Sequence, residues 1–168
     1  MRILSVFIPL FLTGCILVGD FGVCWEKGRV DSALEGAWYA ENGRDSFRFD
    51  RSGRSMLWVL DKGESPQVRS LTFGGVSFLM AKAPDSSSDP NILQRYRIKN
   101  GRLVFYILPR DKREALLRQH PSVFEDRRNG PFVPKLNEEA VRILTEIAAQ
   151  EAWWKEKARY SLTPPQKP

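Results

Sequence analysis

Between residues 34 and 108 the chain breaks into short apolar or alternating segments, each closed by a turn signal, and this restricts it to an antiparallel β-meander. Phe47 and Phe49 fall on one face of their segment, and Ser46, Arg48 and Asp50 on the other. Asn100-Gly101 is the strongest punctuation, because a type I′ hairpin turn needs positive φ at both central residues. Gly74-Gly75 marks a second two-residue hairpin. The segmentation predicts seven strands, over 36–40, 46–50, 54–60, 67–73, 76–81, 92–99 and 102–108.

Some of these strands are apolar on both faces. Met56, Trp58 and Leu60 oppose Leu57 and Val59, while Leu103, Phe105 and Ile107 oppose Val104, Tyr106 and Leu108. A sheet wet on one side has no use for that pattern, so a second layer must cover it. Helices after the strands supply the cover. Asp111 and Glu114 read as a capping box opening a short helix over 112–119. Asn137 ahead of Glu138 and Glu139 reads as an N-cap with an acidic first turn, opening a helix over 138–157. Within it Ala140, Ile143, Leu144, Ile147, Ala148 and Trp154 make an apolar stripe at helical spacing. The expected fold is mainly β with C-terminal helices: a meander of about seven strands, a barrel or a strongly curved sheet, with one long helix packed outside.

Gly36-Ala37-Trp38 opens the first strand, and a helix follows the last. This layout resembles the lipocalin-like barrels and their Gly-x-Trp motif. The resemblance implies that Gly36 and Trp38 are structural, with the Trp ring closing one barrel end, and that the interior takes a small apolar ligand. It also sets Arg110 where lipocalins keep an Arg over that Trp. The family's eighth strand and its Thr-Asp-Tyr motif have no counterpart in the pattern.

Ahead of the meander, an apolar run over 3–12 follows Arg2 and ends in Leu12-Thr13-Gly14-Cys15. The run is short for a bilayer span and suits a signal-peptide core. The box resembles a bacterial lipoprotein signal, which implies cleavage before Cys15 and acylation of its thiol. Ile16 follows in place of the Asp that resembles an inner-membrane retention signal, which points to the outer membrane, periplasm-facing. An uncleaved N-terminal anchor is the alternative, since Ile16, Leu17 and Val18 prolong the run. On the lipoprotein reading, residues 1–14 are the signal and 15–33 a tether and entry segment. Residues 34–160 then form one domain, and 161–168 a flexible tail. Trp25 in the tether meets either the membrane interface or the core of the domain.

The chain of 168 residues carries a formal charge of +6, a modest excess that suits an anionic surface or dispersed solvated charges equally. With Cys15 acylated, Cys24 lacks an intramolecular partner and reads as a buried structural thiol. The sequence holds 1 His and no Cys-x-x-Cys pair, so no common zinc site is expected, and no phosphate-binding Gly loop is present. His120 before Pro121 reads as a helix end, and the segment 85–90 as a solvated loop. No catalytic residue, metal, cofactor or nucleic-acid partner follows from these patterns.

Arg95, Arg97 and Lys99 alternate on the outward face of one strand and Arg102 opens the next, which makes a basic ladder. It fits either an anionic envelope component or a solvated face that discourages edge pairing. The function expected is a lipid-anchored, non-enzymatic binding or accessory module of the cell envelope, for a small apolar ligand or an anionic component. A packed-interior interaction protein and a carboxylate-dependent hydrolase are the alternatives.

Overall fold

The computed structural model describes residues 16–19, 25–43, 45–59, 65–82, 91–127 and 130–163. Cys15, Cys24, the loop over 85–90 and the run over 3–12 lie outside the described residues.

Seven strands form the meander: β2 (Gly36–Ala40), β3 (Ser46–Ser52), β4 (Ser55–Val59), β5 (Gln67–Phe73), β6 (Val76–Lys82), β7 (Asn91–Lys99) and β8 (Arg102–Ile107). An eighth strand, β11 (Lys155–Ser161), lies between β8 and β2 and closes an antiparallel barrel. The hairpin between β7 and β8 pairs Lys99 with Arg102, and Asn100 and Gly101 hold φ of 53° and 69°, the left-handed pair of a type I′ turn. Gly36 enters β2 at φ 127°, a conformation that L side chains avoid; space is not the constraint, since an added Cβ would meet only Leu162 at 3.5 Å.

The strand count of seven is corrected to eight, and the helix over 138–157 is corrected with it. Helix α2 runs only Glu138–Ala149, opened by the Asn137 side chain, which accepts from the backbone N–H of Ala140 at 2.9 Å. The Gln150 N–H closes on the Ile147 carbonyl, and a 3-10 turn, Glu151–Trp153, follows. The Trp154 indole N–H donates to the same Ile147 carbonyl at 3.0 Å, so its ring caps the helix and enters the core from beyond it. The chain then pairs with β8, with a register shift between Glu156 and Ala158. Ser161, the first residue of the expected tail, ends β11 opposite Tyr39 and Arg102.

The shorter helix α1 runs Arg110–Gln119, with Pro109 at its N-cap and no side-chain cap. The expected Asp111–Glu114 box is replaced by an Arg110–Glu114 ion pair at 2.8 Å. Arg110 is 85% exposed and does not lie over Trp38.

Two apolar clusters sit on either side of the barrel wall. The inner one gathers Leu34, Trp38, Phe47, Phe49, Met56, Trp58, Leu103, Phe105 and Tyr160. The Trp38 indole donates to the Leu34 carbonyl at 2.7 Å, and Leu34, the last residue of the 3-10 turn Ser32–Leu34, is itself buried in this cluster. The outer cluster places Ile143, Leu144 and Ile147 of α2 and Leu116 of α1 against Leu71, Phe73, Phe78, Met80 and Leu93. Helical cover therefore lies over β5, β6 and β7. The outward Leu57, Val59 and Val104, which suggested such cover, stay half-buried. A branch leaves the barrel at β7, where β1 (Ile16–Val18) pairs with Asn91–Leu93, followed by β10 (Gly130–Val133) and β9 (Glu125–Arg127).

Candidate functional site

Alternation along β7 turns Tyr96 and Ile98 into the barrel and Arg97 and Lys99 outward. The pairing register aligns these outward residues with those of the neighbouring strands. Arg97 and Arg159 flank Val104, Lys99 and Ser161 flank Arg102, and Glu156 lies opposite Tyr106. The result is an open trough of about 600 Å³ on the outer face of β7, β8 and β11, lined by Arg97, Lys99, Asn100, Arg102, Val104, Tyr106, Glu156 and Arg159. Four of these side chains are cations and one is a carboxylate.

The carboxylate is committed. Glu156 binds Arg159 through both oxygens, one contact at 3.0 Å, and this pairing raises the Arg159 pKa. Arg102 reaches Glu41 at 3.5 Å. Arg97 and Lys99 are exposed and have no ion-pair partner among the described residues. The trough thus presents uncompensated positive charge where two cationic side chains remain free to meet an anion.

Arg95 is a correction to the expected ladder. It is buried at 3% exposure, with its guanidinium 4.8 Å from the Tyr106 ring and 5.2 Å from the Trp154 ring. Its Nη2 donates to Glu151 at 2.6 Å, while Nη1 has no hydrogen-bond partner among the described residues. Two ring faces and one carboxylate offset the cost of desolvating this charge. Arg95 therefore staples the turn after α2 to the barrel wall and backs Tyr106, the aromatic side of the trough.

The barrel interior has a different character. Phe47 packs edge-on against Trp58 at 5.5 Å and Tyr160 at 4.7 Å. Trp58 of β4 and Phe105 of β8 come from opposite walls, yet their rings stack 6.3 Å apart. At that level the rings meet across the lumen, as an eight-stranded barrel is narrow enough to allow.

A polar cluster ties the entering segment to the barrel. The Tyr96 hydroxyl donates to Asp31 at 2.6 Å, and the Ser70 hydroxyl lies 2.6 Å from the same phenol oxygen. Burial first, and then the Asp31 carboxylate, push the Tyr96 pKa upward, so the phenol keeps its proton and holds the contact. His120 closes α1, its backbone N–H donating to the Leu116 carbonyl at 3.0 Å. Trp25 is buried with the Arg69 guanidinium 4.7 Å from its ring. Among the described residues no cluster of His, Cys, Asp and Glu is placed to hold a metal ion, and no helix is long and apolar enough to cross a membrane.

The structure brings Arg97, Lys99 and Arg102 together, removes Arg95 from their surface, and adds Glu156 and Arg159 from β11. The signal for the added pair was the alternation of Ala158 and Tyr160 with Arg159 and Ser161, which reads as a strand edge once the helix is stopped at residue 149. The protein is an eight-stranded closed antiparallel β-barrel of lipocalin-like architecture, with helices packed on its outer wall. Searches against protein-family models, curated proteins and solved structures found no match.

Proposed function

We propose that this chain is a lipid-anchored, non-enzymatic binding module of the bacterial cell envelope, acting through the outer wall of its barrel on an anionic envelope component. The anchor would be the acylated Cys15, with the outer membrane as the site implied by Ile16 after it. One observation carries the choice of surface: the free cations Arg97 and Lys99 stand beside Arg102 and Arg159 in a trough. The rings that meet between Trp58 and Phe105 support surface binding over carriage of an apolar ligand inside the barrel.

The test uses the purified full chain against lipopolysaccharide, anionic vesicles and peptidoglycan at low and high salt. Salt-sensitive binding to one of them, lost in the double variant Arg97→Glu, Lys99→Glu, is the expected result. Equal binding by wild type and variant would remove the trough from the function. Native mass spectrometry that finds a small apolar molecule bound to the wild type would restore the interior as the site.

A further inference from the structure

The described parts of the segment between the expected anchor and the barrel, residues 16–19 and 25–33, are hydrogen-bonded to the fold. Ile16, the residue peptide-bonded to Cys15, is fully buried in the outer cluster and pairs with Leu93. The Gly19 N–H donates to the Val133 carbonyl at 2.8 Å, which fastens the far end of β1. Further along, Arg69 donates to the Trp25 carbonyl at 2.8 Å, and Arg29 and Ser70 exchange backbone hydrogen bonds at 2.8 and 2.7 Å. Paired sheet is thus already in place at the first residue after Cys15, on the branch off β7.

We propose that the barrel is held directly on the leaflet that carries its acyl chains, and that the trough is occupied by anionic head groups of that leaflet. The inference rests on the lipoprotein reading above. Its support is the register of β7. Ile16 sits opposite Leu93, and Arg97 and Lys99 follow on the same strand. At about 3.3 Å per residue they lie about 13 and 20 Å from that pair. An anchor with no slack makes the encounter of trough and head groups intramolecular, so the local concentration of anionic lipid exceeds that of any soluble anion. Each Lys or Arg at an anionic surface strengthens attachment about five-fold, and the effect fades within a Debye length of about 8–10 Å. The free cations therefore turn β7 along the surface rather than away from it.

Arginine labelling with a water-soluble dicarbonyl, read residue by residue by mass spectrometry, tests this on the lipidated full chain in vesicles. Arg54, in the turn between β3 and β4, is the reference, because β4 lies across the barrel from β8. In vesicles with about a third anionic phospholipid, labelling of Arg97 and Arg102 falls several-fold relative to Arg54, and in zwitterionic vesicles it does not. Equal labelling in the two vesicle types overturns the proposal. So does protection by soluble polyphosphate in detergent without protection in anionic vesicles, which would keep the trough as an anion site and remove lipid as its occupant. Intact mass separates the two levels: an unmodified Cys15 defeats the envelope reading itself, whereas a lipidated chain with unprotected arginines defeats this inference alone.

Discussion

Trp38 and Tyr96 hold the entry of the chain to the barrel by different means. The Trp38 ring is fully buried and its indole N–H is spent on the Leu34 carbonyl, so truncation both empties a large volume and leaves an acceptor unpaired. Trp38→Ala is expected to cost about 3–5 kcal/mol, read from urea melts. An unchanged midpoint would place the ring at the periphery. Tyr96 makes a pH-dependent contribution. Its folded pKa is raised by burial and by Asp31, while an unfolded tyrosine titrates near about 10. The folded state therefore keeps a proton that the unfolded state releases. This stabilisation is complete below pH about 10 and is lost as pH rises toward the folded pKa. Tyr160 acts in the same direction through burial and Asp45. Tyr96→Phe should lower stability at pH 7, by leaving Asp31 and Ser70 without the phenol, and flatten the fall above pH 10. An alkaline limb equally steep in wild type and variant would assign the fall to other groups.

Among the elements, β2 to β8 were legible because period-two patterning and turn residues coincide there, and both report local backbone geometry. β11 was hidden. Lys155, Glu156 and Lys157 carry helix-compatible charges straight after a helical stripe, and the register shift at Glu156–Ala158 breaks the alternation. Arg95 was hidden for another reason. An outward-alternating Arg looks solvated until a distant segment brings Trp154 and Glu151 over it, and sequence spacing does not report that contact. The apolar stripe of α2 was legible, although the part of the wall it would cover was not. Ile147 is 3% exposed in the outer cluster, so Ile147→Asp sets an unpaired carboxylate between α2 and the wall. The loss should be at least about 3 kcal/mol by denaturant melt. A variant that melts like wild type would show that α2 is dispensable to the barrel.

For the whole molecule, closure depends on pairing the two ends of the barrel sequence. β11 pairs Tyr160 with Ala40 of β2 and Leu103 of β8, so the wall stays open until almost the whole domain has been ordered. The ring contacts across the lumen follow the same logic. Tyr160 meets Phe47 and Phe105 only when β11 is in place, and the stacking of Trp58 on Phe105 needs opposite walls to converge. Loop closure over such separations costs entropy before any of these contacts repays it. Refolding is therefore expected on the millisecond-to-second scale, with burial of Trp58 among the late events. The same ordering makes β11 the strand whose loss does most harm. A chain ending at Trp154 keeps α2 and its cap but leaves β2 and β8 with open edges, and it should aggregate rather than fold. Stopped-flow fluorescence of Trp58, with the other tryptophans replaced conservatively, checks the kinetic half. A Trp58 signal already complete within the mixing dead time, with no later phase, would mean that the lumen packs before β11 closes it.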